Sequence, residues 1–78
     1  MDQDELRRLI GKRLRIARYT AELTQEQVGH AAGVSRAFVS VIEQGPAGVD
    51  VFRLRRLALA AGTTLAALID EPAPEGRE

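Results

Sequence analysis

No cysteine occurs in the 78-residue chain. That absence removes disulfides, thiolate metal sites and a cysteine nucleophile together. There is a single histidine, His30, which falls on the polar side of a short helical segment and cannot make a metal site by itself. A glycine-rich phosphate loop is missing as well, so the sequence holds no constellation for catalysis, and neither an enzyme, a cofactor nor a metal is expected. Charged residues interrupt the apolar runs, and none reaches the length of a membrane span or a signal-peptide core. A soluble, cytoplasmic protein with no membrane contact is the expectation. No segment shows the strict alternation of a half-buried strand, which points to an all-α fold. The length suits one domain and leaves no room for a ligand-sensing module. Control would then come from concentration, dimerisation or a separate partner. A domain this small buries only about 60% of its unfolded surface, so its stability is modest.

An excess charge of one sign is also lacking, since eleven basic residues face eleven acidic ones. Their distribution is uneven. Asp2, Asp4 and Glu5 make residues 1–5 an acidic N-terminal end, and Asp70, Glu71, Glu75 and Glu78 against Arg77 do the same for the far end. Between Leu6 and Ile69 ten bases stand against four acids (Glu22, Glu26, Glu43, Asp50). A folded part of that sign attracts phosphate, with a merely solvated basic face as the bland alternative.

Five segments read as helices. The first runs from about Asp4 to Tyr19, with Leu6, Ile10, Leu14 and Ala17 on one face and acids at its start. The second, about Gln25 to Ala32, has Thr24 as N-cap with Gln27 completing a capping box and Gly33 as terminator. The third, about Ser35 to Gln44, is capped by Ser35 and closed by Gly45; Phe38, Val39 and Ile42 form its inward side. Gly45-Pro46-Ala47-Gly48 is a loop. Asp50 caps a fourth helix to about Ala61, Gly62 stops it, and Thr63 or Thr64 caps a short fifth ending near Asp70. Residues 6–70 form the domain, and 71–78 read as a frayed, disordered acidic tail.

The informative stretch is 25–44, QEQVGHAAGVSRAFVSVIEQ. Two short helices joined by a tight turn pack steeply only if the crossing residue is small, and Gly29 is. The turn needs tolerance of positive φ, which Gly33 supplies. Val28, Ala32, Val34, Val39 and Ile42 provide apolar anchors on both helices and in the turn. Together these requirements define a helix-turn-helix.

From Ile10 to Ile69, about three quarters of the chain, the sequence resembles the lambda-repressor-like, Cro/C1-type (XRE) helix-turn-helix family; LTQEQV, GVSRAFVSVIEQG and LRRLALAAGTTLAALI are similar to its most recognisable blocks. The resemblance implies a compact five-helix DNA-binding domain, docking of the third helix in the major groove, and work as a sequence-specific transcriptional regulator, with repressor expected over activator. It is silent on the target sequence.

In that docking geometry Arg36, Ala37 and Ser40 meet base edges. Arginine can bond guanine O6 and N7 together, alanine admits a thymine methyl, and serine can bond a base or a phosphate. Gln25 matches the family glutamine that binds phosphate and braces the reading residue, at a helix start whose free N–H groups suit an anion; Ser35 and Gln44 join it as phosphate candidates. Arg18 and Glu43 match a family pair that ties the first helix to the third; the alternative is two independent surface charges worth ~0–1 kcal/mol. Some positions depart from the family pattern. Gly29 stands where alanine is usual, which should loosen the second helix by roughly 0.5–1 kcal/mol. Ala61 replaces a common leucine, thinning the core there. Phe52 and Leu59 fall where polar residues are usual, on the side of the fourth helix opposite a core face of Val51, Leu54, Leu57, Ala58 and Ala61. An exposed pair of that kind marks a contact surface, so the expected partners are an inverted-repeat operator of double-stranded DNA and a second copy of the chain. Alternatives within DNA binding are an antitoxin holding a toxin partner, and a restriction–modification controller protein autoregulating its operon. A protein-interaction or RNA-associated module is a further class.

Overall fold

The computed structural model describes residues 1–45 and 48–70. The tail expected at 71–78 and the centre of the loop after the third helix lie outside the described residues. Helix α1 spans Gln3–Thr20, α2 Gln25–Ala32, α3 Arg36–Glu43, α4 Val51–Ala60 and α5 Leu65–Ile69. The expected five-helix, all-α architecture is thus what the described residues form.

Side-chain caps punctuate the chain. Thr24 accepts the Gln27 N–H at 3.0 Å while Gln27 Oε1 accepts the Thr24 N–H at 2.8 Å, completing a capping box. Ser35, Asp50 and Thr64 accept from Phe38, Arg53 and Ala67 respectively. The choice between Thr63 and Thr64 therefore falls on Thr64. A box not anticipated from sequence closes the start of α1, where Asp2 accepts from Glu5 at 2.7 Å and extends the helix to Gln3. Such caps satisfy donors that the first helical turn leaves without partners. Gly33 ends α2 at φ 74°, the left-handed conformation that favours glycine.

The core gathers Leu14 of α1, Val28 and Ala32 of α2, Val39 and Ile42 of α3, Leu54, Leu57, Ala58 and Ala61 around α4, and Leu68 of α5. Helix α2 packs on α3 and α4, and α1 packs on α3 and α5. Val51 breaks the expected pattern: it is 52% exposed. Side chains tilt toward the helix N-terminus, so that of the first α4 residue overhangs the Asp50 end, beyond the core beneath Leu54.

Two glycines permit close helix approach. A Cβ on Gly11 would lie 2.6 Å from the Glu43 carbonyl oxygen and 2.7 Å from that of Ile42, so α1 crosses the end of α3 in backbone contact. A Cβ on Gly29 would lie 2.8 Å from the Val34 carbonyl oxygen. The expected loosening of α2 at Gly29 is therefore offset by a steric need: an alanine here would push the helix away from its own turn.

Candidate nucleic-acid interface

Helix α3 has two unlike faces. Val39, Ile42 and Glu43 are buried and Phe38 is half-buried. Ser35, Arg36, Ala37, Val41 and Gln44 are exposed on the other side, with Ser40 half-buried among them. At about 100° per residue, this outward strip runs from Arg36 through Ser40, Gln44 and Ala37 to Val41. The turn from Gly33 to Ser35 joins α2 to α3 and is anchored by the Val34 N–H donating to Gly29 O at 2.9 Å. The sequence-predicted base-facing residues Arg36, Ala37 and Ser40 are thus brought to one surface. Ser40 Oγ accepts from Gln44 Nε2 at 3.4 Å, and Ser35 Oγ is engaged as the α3 cap while keeping its own O–H to donate.

What fixes α3 at its angle is a bidentate ion pair. Arg18 Nε donates to Glu43 Oε2 at 2.7 Å and Nη2 to Oε1 at 2.9 Å. The two side chains are 7% and 3% exposed, so the expected pair is formed and is buried rather than superficial. The Arg18 Nη1 donates to Leu23 O at 3.0 Å, and the guanidinium lies 4.6 Å from the centre of the Tyr19 ring. Hydrogen bonding to Glu43 raises the Arg18 pKa further above its already high ordinary value, so the pair keeps its charge on the arginine at every working pH. A buried pair is specified by geometry more than by net energy. Here the geometry joins the end of α1 to the end of α3.

Gln25 belongs to the same network. Its Nε2 donates to Glu43 Oε1 at 3.2 Å, so what it braces directly is the ion pair. Arg18, Gln25 and Arg36 line one open cleft with Tyr19, Thr24 and Glu26. The start of α2, where free N–H groups suit an anion, therefore adjoins the N-terminal end of the exposed α3 strip.

The basic residues divide by what they touch. Arg8, Lys12, Arg15, Arg55 and Arg56 are exposed. Arg7 pairs with Asp4 at 2.9 Å, and Arg53 pairs with Asp50 at 3.5 Å while lying 5.6 Å from the Phe38 ring centre. Arg13 turns inward: its Nη1 donates to the carbonyls of Leu68 and Asp70 at 3.1 and 2.6 Å, capping α5. Sequence reading missed that role, because the arginine and its acceptors are far apart in the chain. On α4, Phe52 is 77% and Leu59 50% exposed.

Comparison with known proteins supplies a frame for this geometry. A family model described as helix-turn-helix domain matches residues 4–71. No curated protein sequence matches the chain. Among solved structures, the restriction-modification controller protein C.AhdI from Aeromonas hydrophila is similar at 29% identity and a TM-score of 0.73, covering 80% of this chain and 94% of the controller. A hypothetical transcription factor, NHTF from Neisseria, is similar in fold at 24% identity and a TM-score of 0.78, covering 92% of this chain and 83% of that one. With a match across nearly its whole length, and with α2 and α3 set on either side of the Gly33–Ser35 turn, the chain belongs to the helix-turn-helix domain family.

Proposed function

We propose that this protein is a sequence-specific, double-stranded DNA-binding transcriptional regulator of the Cro/C1 (XRE) type, a cytoplasmic repressor that reads the major groove with α3. The observation that carries this reading is the two-faced α3. Its inner face is locked by core packing and the Arg18–Glu43 pair, while its outer face offers one guanidinium, two small side chains and two polar ones to solvent. Arg36 reads guanine, and Ala37 and Ser40 approach neighbouring base edges. Gln25, Ser35 and Gln44 hold the flanking phosphates. Exposed cations on α1 and α4 supply the attraction that is independent of sequence. If several of them meet phosphates, the binding constant falls steeply with salt, with a log–log slope of about −0.9 per contact. Fluorescence anisotropy on labelled duplex DNA across salt concentrations tests this, and a constant that stays flat up to physiological salt overturns the DNA reading.

A homodimer accompanies the proposal. Phe52 and Leu59 lie seven residues apart on the outer side of α4, and burying them against their copies would set two α3 helices about one DNA turn apart, roughly 34 Å, on an inverted repeat. Phe52→Glu and Leu59→Glu should leave the helical content intact and lower the dimer fraction in sedimentation; an unchanged oligomeric state in both overturns this interface. The likeness to C.AhdI favours a second, narrower reading, a controller of a restriction–modification operon. Gene order around the coding sequence separates it from a free-standing regulator.

A further inference from the structure

The outward strip of α3 contains one residue that the base and phosphate assignments above leave unused. Val41 is 51% exposed, a branched apolar side chain on a face otherwise made of Arg36, Ala37, Ser40 and Gln44. It contributes nothing to the core cluster, whose α3 members are Val39 and Ile42, with Phe38 packed against them. It lies one helical turn beyond Ala37, so the two form an apolar track along the edge of the strip away from Arg36. The polar groups beside this track, Ser40 and Gln44, lie within 3.4 Å of each other. The strip therefore offers a hydrogen-bonding end at Arg36 and a methyl-lined flank at Val41.

On the major-groove floor only one group is matched by an exposed valine, the C5-methyl of thymine. We infer that Val41 is a specificity-determining residue that selects thymine at one position of each half-site by burying its methyl group. The inference rests on the DNA-binding reading of the same helix. Guanine readout by Arg36 and methyl readout by Val41 then lie on opposite flanks of α3, so the half-site carries both a guanine and a thymine. Cytosine, which lacks the methyl, is rejected at the Val41 position for want of contact area, without any repulsive group.

The test uses the full chain and the duplex it selects from a random pool. Each thymine of the selected half-site is replaced in turn by deoxyuridine, which removes the methyl and leaves the Watson–Crick pairing. At one thymine, wild-type binding should weaken roughly fourfold, the ratio expected for one buried methyl-sized group. In Val41→Ala the same replacement should cost less than about twofold, while the response to losing the Arg36-contacted guanine stays as in the wild type. Val41 is half-exposed, so Val41→Ala should fold normally, and an unchanged circular-dichroism melt verifies this. No methyl-sensitive thymine, or none whose penalty falls in Val41→Ala, overturns the assignment while leaving the DNA reading intact. Failure of the wild type to select any sequence removes both.

Discussion

Replacing Glu43 with alanine is the perturbation whose size follows most directly from the structure. The change removes two acceptors from Arg18 at 2.7 and 2.9 Å and one from Gln25 at 3.2 Å. It leaves a guanidinium that is almost wholly buried with only the Leu23 carbonyl and the Tyr19 ring beside it. Breaking one side of such a pair costs about 3–5 kcal/mol, because the remaining charge is stranded away from water. At about 0.05–0.15 kcal/mol per residue, a 78-residue chain has roughly 4–12 kcal/mol in total, so the loss is a large fraction of the whole. Urea unfolding followed by circular dichroism measures it. With a slope of about 1–3 kcal/mol per molar urea, the midpoint should fall by at least about 1 M. Glu43→Gln should lie between, since an amide keeps one acceptor for Arg18 but loses the charge. Glu22→Gln is the right exposed control: Glu22 sits at φ 59°, and keeping the chain length changes the charge alone. If Glu43→Ala falls within about 0.5 kcal/mol of that control, the size of an ordinary surface substitution, the argument from burial is refuted.

The remaining expectations concern readout, packing and acid. Arg36→Ala should cost about 1–3 kcal/mol on the selected site and flatten preference at one base pair per half-site, whereas Gln25→Ala should weaken all sequences alike; an unchanged preference profile for Arg36→Ala would misplace the reading helix. Gly29→Ala gains about 1 kcal/mol of helix propensity but sets a Cβ 2.8 Å from the Val34 carbonyl, so a lower melting temperature is expected and a higher one contradicts the close approach. The Asp50 carboxyl is held below its ordinary 3.8, chiefly by accepting the Arg53 N–H. Its contribution is therefore complete above about pH 4 and is lost as pH falls through the lower folded value. Asp50→Asn should keep the α4 cap and shed that part of the acid sensitivity, which thermal melts between pH 2 and 7 would show (the range is roughly that over which the carboxylates titrate).

What the sequence reveals of this fold is mostly local chemistry. Thr24 with Gln27, Gly33, Ser35 and Asp50 mark helix ends because a cap is a contact between residues a few positions apart, and such contacts survive in the order of letters. The inner face of α3 is legible for the same reason, through Val39 and Ile42 at helical spacing. Partners separated by many residues are harder. The Arg18–Glu43 pair came only through family resemblance, and Gln25 reaching Glu43 or Arg13 reaching the end of α5 has no local signature. Gly11 is a helix-interior glycine, a local oddity that hints at close approach, yet only the crossing of α1 and α3 shows what approaches. Val51 failed in the other direction: its wheel position suits the core, but the helix start overhangs it. At the candidate interface, the outward placement of Arg36, Ala37 and Ser40 followed from helical periodicity. The engagement of Gln44 with Ser40 did not, since it depends on the rotamers chosen.

Selection from a random pool of duplex DNA, followed by sequencing of the retained molecules, tests the central claim most directly. The α3 surface and the α4 patch together predict an enriched inverted repeat, with a guanine in each half-site that Arg36→Ala no longer requires and half-sites centred about one helical turn apart. A wild-type protein that folds but enriches no sequence, or whose enriched motif is indifferent to Arg36→Ala, would contradict the assignment of α3 as the reading helix.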